Sequence, residues 1–174
     1  AVTYRYVGGA FWQHERLGSN SGSGWIDSLV YGVPMAASAM PITGQADFDV
    51  DLLGAATVGD EPLPLSGTGT ATIDFASGNV LITGTLNKVA VPGTTIFTSV
   101  AKLAAGSNGF SGSFAYDDFG RYTGTLDGKL FGPNGEEIGA AFQATQDGRG
   151  AATGAILGRR SNSPQGNSSF DDGP

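Results

Sequence analysis

The stretch Ile42-Thr-Gly-Gln-Ala-Asp-Phe-Asp-Val-Asp-Leu52 decides the fold. Its even-numbered residues are apolar or glycine, whereas its odd-numbered residues are threonine, glutamine or aspartate. Alternation with a period of two is typical of a β-strand that buries one face and exposes the other. The pattern therefore predicts a strand over residues 42–52 with an apolar inner face and a polar outer face.

The same alternation recurs along the chain and predicts eight strands in total. Besides residues 42–52, they cover residues 4–13, 69–75, 80–86, 110–116, 122–130, 138–144 and 152–158. Eight strands suffice for a closed barrel whose interior is filled by side chains, and closure removes exposed strand edges. The interpretation is an all-β fold: an eight-stranded antiparallel up-and-down β-barrel, soluble, with an apolar interior.

Two segments do not share this pattern. Residues 95–105 are ambiguous, because they could form a short helix or a strand folded over one end of the barrel. Residues 160–174 consist mainly of Ser, Asn, Gly, Pro and Asp without periodicity, which is typical of a flexible tail. The predicted organisation is a single barrel domain over residues 1–159 followed by a polar tail over residues 160–174.

Composition and charge exclude several kinds of partner. The net charge of −7 disfavours nucleic acid and anionic membrane surfaces as partners. The absence of cysteine excludes disulfides, thiolate nucleophiles and Cys-based metal sites. An outer-membrane barrel is also disfavoured, because it requires an apolar outer face and a polar lumen. The many inward glycines, interleaved with aromatic residues, favour a packed interior; a lipocalin-like cavity is the alternative.

Catalysis finds little support in the residues. His14 is the only histidine, no Gly-x-Ser-x-Gly sequence is present, and the predicted inner faces carry no carboxylate. We therefore predict that the protein is not an enzyme and needs no cofactor or metal. His14 is a candidate ligand for haem iron or a metal, and for haem Tyr31 could replace it as the axial ligand. The alternative is that His14 is a surface histidine at the end of a strand.

The long segment over residues 15–41 is the predicted binding region. In the predicted topology it joins the first two barrel strands at the end of the barrel opposite both termini. Long ordered loops often carry binding sites, and aromatic residues and methionine are common in interfaces. The candidate residues, with the adjoining end of the first strand, are Trp12, His14, Trp25, Tyr31, Met35 and Met40. The alternative is that these apolar residues form a lid that plugs the barrel.

One block resembles a known family. It reads Gly128-Lys-Leu-Phe-Gly-Pro133, then Glu136-Glu137, then Ile138-Gly-Ala-Ala-Phe142. It resembles the barrel domain of surface lipoproteins of the transferrin-binding-protein-B type, although Leu130 replaces an aromatic residue and Ala140 replaces a glycine. The closing Gly154-Ala-Ile-Leu-Gly-Arg-Arg160 is similar to the last strand of that family.

The resemblance implies a place on the outer surface of a Gram-negative bacterium or outside the cell. It implies binding of host proteins, haem or small solutes, with transfer of the cargo to a TonB-dependent receptor. The only membrane link it implies is an N-terminal lipid anchor, which this chain does not carry. The predicted function is a non-enzymatic binding protein that assists nutrient uptake; the alternatives are a small-ligand carrier with a central cavity and a structural barrel module of a surface assembly.

Overall fold

The computed structural model describes residues 3–17, 22–58, 61–89, 92–118, 120–147 and 150–161, with the backbone alone at residues 13–17, 22–25, 58 and 61. It contains ten strands and one short 3-10 turn in the described residues. These elements are β1 Val7–Leu17, β2 Gly22–Gly32, the turn Ala37–Ala39, β3 Gln45–Val58, β4 Glu61–Asp74, β5 Asn79–Asn87, β6 Thr94–Leu103, β7 Gly109–Asp117, β8 Arg121–Phe131, β9 Glu137–Gln146 and β10 Gly150–Arg160. Among the described residues, no helix has the length and apolar character needed to cross a bilayer.

The barrel consists of β3 to β10, each paired antiparallel with the next, and pairing of β10 with β3 closes it. This confirms the predicted eight-stranded up-and-down barrel. The inward residues form one apolar core, in which the rings of Phe114 and Phe142 stack at 4.1 Å. Inward glycines make this packing possible: a Cβ on Gly154 would lie 2.5 Å from the Phe142 ring. The interior is therefore filled by side chains.

The identity of one barrel strand differs from the prediction. The segment over residues 4–13 was expected in the barrel wall, but β1 pairs only with β2 in a separate two-stranded sheet, here called the ribbon. Its place in the barrel is taken by β6, in the stretch that the sequence left ambiguous. On β6, Ser99 points inward, whereas Ile96 and Val100 point outward and are 68% and 60% exposed. This inverted pattern hid the strand.

The predicted loop over residues 15–41 is also corrected, because most of it is strand. Its last part, after β2, lies at the end of the barrel where β3 begins and β10 ends, rather than opposite the termini. There, the Met35 N–H donates to the Leu130 carbonyl at 2.9 Å, and Asn108 donates to the Met35 carbonyl. The predicted tail, apart from residues 160 and 161, lies outside the described residues.

The ribbon packs on the outer face of β9 and β10. Small residues allow this close approach. A Cβ on Gly139 would lie 2.5 Å from Val30 and 2.6 Å from Val7, and a Cβ on Gly9 would lie 3.3 Å from Ala155. One face of the ribbon is therefore buried against the barrel wall, and the other is left to solvent.

Candidate functional site

The carboxylate of Glu137 makes the first of three contacts that hold the ribbon on the barrel. Glu137, the first residue of β9, is 5% exposed and accepts hydrogen bonds from three consecutive backbone N–H groups. The donors are Arg5 at 2.7 Å, Tyr6 at 2.7 Å and Val7 at 2.9 Å. Several N–H donors directed at one carboxylate replace the water that burial removes, and hydrogen bonds to charged groups are stronger than neutral ones. The start of β1 is therefore held in one position.

A second contact lies just before β1. The Tyr4 hydroxyl is 2.8 Å from the Asp51 carboxylate and 2.8 Å from the Leu157 carbonyl. Burial raises the pKa of Tyr4, and the hydrogen bond and negative charge of Asp51 raise it further. The hydroxyl thus stays protonated and remains a donor at physiological pH. The hydroxyl of Ser28 on β2 is 2.7 Å from the hydroxyl of Thr153 on β10, and this contact is a third link to the barrel.

The outward face of the ribbon is apolar and aromatic. In the register of the two strands Gly8 lies opposite Tyr31, Ala10 opposite Leu29 and Trp12 opposite Asp27. Because side chains alternate along a strand and the intervening residues contact the barrel, these pairs face away from it. Trp12 is 52% and Tyr31 is 56% exposed. A Cβ on Gly8 would lie 2.8 Å from the Tyr31 ring, so this ring lies across the glycine.

The structure divides the six predicted binding residues into two groups. Trp12, His14, Trp25 and Tyr31 all lie on the ribbon, and His14 is directly opposite Trp25 in the register; the side chains of these last two lie outside the described residues. Met35 is a buried core residue and Met40 packs against the core. The lid alternative therefore describes Met35 and Met40, whereas Trp12 and Tyr31 form part of an exposed surface.

The aspartates of β3 are engaged in local hydrogen bonds. Asp47 accepts from the Thr72 hydroxyl at 2.7 Å and Asp49 from the Ser161 hydroxyl at 2.9 Å. Within the described ranges, no group of three or more His, Asp or Glu side chains could hold a metal ion. The described side chains therefore favour a surface that contacts a partner over a metal site.

The sequence analysis did not predict that Glu137 holds the start of β1, or that the ribbon covers the outer face of β9 and β10. A signal was present, because the outward positions of these two strands carry Gly139, Ala141, Ala155 and Leu157 in place of polar residues. An outer face of this kind needs another element to cover it. The recognised block from Gly128 to Phe142 thus contains both the carboxylate that holds β1 and the glycine over which Val7 and Val30 pack.

Comparison of the sequence with protein-family models and with curated proteins finds no match. Solved structures do match. A single-mutant form of transferrin binding protein B (TbpB) from Haemophilus parasuis Hp5 aligns with a TM-score of 0.65 at 19% identity, over 91% of this chain and 34% of that chain. Isotype 1 TbpB from serogroup B Neisseria meningitidis aligns with a TM-score of 0.59 at 18% identity, over 86% of this chain and 35% of that chain.

The structure of intact Ap-TbpB, with its N and C lobes, aligns with a TM-score of 0.60 at 19% identity, over 89% of this chain and 33% of that chain. The chain therefore spans about a third of the length of the structures that it matches. At this level of identity the likeness concerns the fold. It confirms that the chain has a TbpB-like barrel, as the block from Gly128 to Phe142 indicated.

Proposed function

We propose that this chain is a non-enzymatic binding protein of the bacterial surface or extracellular space, which contacts its partner through the outward face of the ribbon. The observation that carries the proposal is the pair Trp12 and Tyr31, half exposed on a ribbon that Glu137 holds against the barrel. The proposed biological role is to assist nutrient uptake, of iron, haem or another solute, through a TonB-dependent receptor.

The physical argument concerns the energy of binding. Tryptophan and tyrosine account for much of the binding energy in protein interfaces. A face that is already ordered loses little conformational entropy when a partner binds. The ribbon meets this condition because its first residues and Ser28 are bonded to the barrel wall. The filled interior, with Phe114 stacked on Phe142, argues against the alternative of a carrier with a central cavity.

The choice of partner rests on analogy of fold, which is weaker support than a site. The similar structures are of proteins named for binding transferrin. Transferrin is therefore the first protein to test, and haem the first small molecule. The resemblance in sequence also supports a surface or secreted location.

Binding is best measured by biolayer interferometry of the immobilised chain against iron-loaded human, bovine and porcine transferrin. Trp12→Ala and Tyr31→Ala should each weaken binding by about 30-fold, which corresponds to about 2 kcal/mol. Their melting temperatures should change little, because both side chains are half exposed. Ile96→Ala is the matched control, since Ile96 is an exposed apolar residue on β6, which lies across the barrel from β9 and β10.

The outcomes separate the proposal from its rivals. Equal affinity of the Trp12→Ala and Ile96→Ala proteins for a transferrin that binds would refute the ribbon as the interface. A large loss of stability with unchanged affinity would show that Trp12 is a structural residue. Absence of binding to all three transferrins would remove this class of partner.

A further inference from the structure

The second edge of β1 has no strand beside it in the described part of the chain, since β1 pairs only with β2. The Tyr6 carbonyl accepts from the Val33 N–H at 2.9 Å. In an antiparallel pair, every second residue directs its N–H and C=O toward the partner strand. Continuing this alternation, the backbone groups of Gly8, Ala10 and Trp12 point toward β2. Those of Gly9 and Phe11 point toward the other edge.

A groove runs along this edge. It has a volume of about 560 Å³ and lies between the ribbon and the barrel wall. Gly9 and Phe11 line one side, and Leu53, Thr68 and Thr85 line the other. Phe11 and Leu53 are 41% and 53% exposed, so each leaves apolar surface in contact with solvent. The groove thus combines unpaired backbone groups with apolar walls.

Over residues 7–13 the edge lacks the usual features that prevent strand pairing, whereas the charged residues of β1, Glu15 and Arg16, lie beyond this stretch. Natural edge strands are protected by proline, by charged side chains or by bulges. Residues 7–13, Val-Gly-Gly-Ala-Phe-Trp-Gln, include no proline and no charge, and the register with β2 runs without a bulge. Another extended strand could therefore pair with β1 and place every second side chain in the groove.

We propose that this groove binds an extended segment of a partner protein by strand addition to β1. The occupant carries apolar side chains toward Phe11 and Leu53 and a lysine or arginine toward Asp51, the only charged residue among the described residues that line the groove. Main-chain hydrogen bonds supply affinity in this mode of recognition, and the alternate side chains supply specificity. The groove lies on the barrel side of the ribbon, opposite its outward face.

Charge selects a basic partner over a second copy of this chain. The net charge is −7; on the outer face of β3, Asp49 lies opposite Arg159, whereas Asp51 lies opposite Leu157 and lines the groove. Symmetric pairing of two β1 edges would bring together two chains of net negative charge. A segment with a lysine at the groove instead gains a favourable contact with Asp51.

Amide hydrogen exchange of the isolated chain, followed by NMR, tests whether the edge is open. The N–H groups of Gly9 and Phe11 should exchange at least about tenfold faster than those of Gly8, Ala10 and Trp12, which bond to β2. Protection of Gly9 and Phe11 equal to that of their neighbours would overturn the proposal, because the edge would already be covered.

An array of seven-residue peptides tests the occupant. Outward positions carry threonine, and inward positions carry each combination of Val, Ile, Leu, Phe, Lys and Glu. The best binders should combine apolar residues with lysine and should slow exchange at Gly9 and Phe11. Leu53→Lys should weaken their binding at least about tenfold. Leu81→Lys is the matched control, since Leu81 is 47% exposed on the outer wall and does not line the groove.

In the peptide experiments, four results would also overturn the proposal. They are binding by no peptide, equal binding of glutamate and lysine peptides, equal effects of the two leucine substitutions, and self-association of the chain that Leu53→Lys abolishes. Transferrin binding is measured with Trp12→Ala and peptide binding with Leu53→Lys, so that either proposal can fail alone.

Discussion

Glu137 allows the attachment of the ribbon to be tested directly. The Glu137 Oε2 atom accepts from Tyr6 and Val7, and Oε1 accepts from Arg5. In Glu137→Gln the amide oxygen can occupy the Oε2 position and keep two bonds, while the new NH2 group faces the Arg5 N–H. Loss of one hydrogen bond to a charged acceptor should weaken the attachment of the ribbon by about 2 kcal/mol. Glu137→Ala removes all three and should cost about 3–5 kcal/mol.

The chain supplies its own probe for this experiment. Its two tryptophans, Trp12 and Trp25, both lie on the ribbon strands. Tryptophan fluorescence therefore reports the ribbon, whereas far-UV circular dichroism is dominated by the barrel strands. In urea, the fluorescence transition of Glu137→Gln should occur at lower denaturant than its dichroism transition. The wild-type transitions should lie closer together.

Glu136→Gln is the matched control. Glu136 is adjacent to Glu137, but its carboxylate bonds only locally, to the Asn134 N–H and side-chain amide at 2.9 Å each. This substitution should cost less than about 1 kcal/mol and leave the fluorescence and dichroism transitions unchanged relative to each other. Equal effects of the Glu136 and Glu137 substitutions would refute the account of how the ribbon is held.

Three further predictions concern the core, haem and alkaline pH. Phe114→Ala should lower the free energy of unfolding by about 3–5 kcal/mol, because it leaves a cavity among Phe97, Tyr116 and Phe142. Thr125→Ala on the outer wall is the control and should lower it by well under about 1 kcal/mol. Equal values for the two variants in urea melts would contradict the packed interior. In a haem titration, a Soret shift that His14→Ala abolishes would identify the axial ligand, and no shift in the wild type would remove haem from consideration. Because the pKa of Tyr4 is raised, its contribution to stability is present below about pH 10 and is lost as the pH rises through its folded pKa. Tyr4→Phe should therefore flatten the loss of stability above about pH 10, and identical pH profiles of the two proteins would contradict this assignment.

The barrel could be predicted because alternation reports burial directly. Ala46, Phe48, Val50 and Leu52 are buried as the sequence indicated. The strand begins later than expected, at Gln45, because Gly44 has a φ of 89° and Ile42 is exposed. Alternation thus located the core face better than the end of the strand.

The place of β1 could not be predicted from the same signal. Residues 4–13 were expected in the barrel wall, and the structure places Gly8, Ala10 and Trp12 on the outward face of the ribbon. A period of two identifies a strand, but it does not show which structural element packs on each of its faces. Trp12 and Tyr31 were predicted as binding candidates from their residue type and from the predicted loop over residues 15–41. Their position on one surface depends on the pairing of β1 with β2, which the sequence did not reveal.

The attachment at Glu137 has a mechanical consequence. Tension applied through residue 3 reaches the barrel at two places: the Tyr4 hydroxyl bonds to Asp51 and Leu157, and Glu137 at the start of β9 holds the next three amides. Tension applied through residue 161 enters at the end of β10 and at Asp47 and Asp49 on β3. The line of force therefore crosses the neighbouring strands β9, β10 and β3. Most of the ribbon lies beyond these attachments, so its aromatic face is outside the direct path of the force.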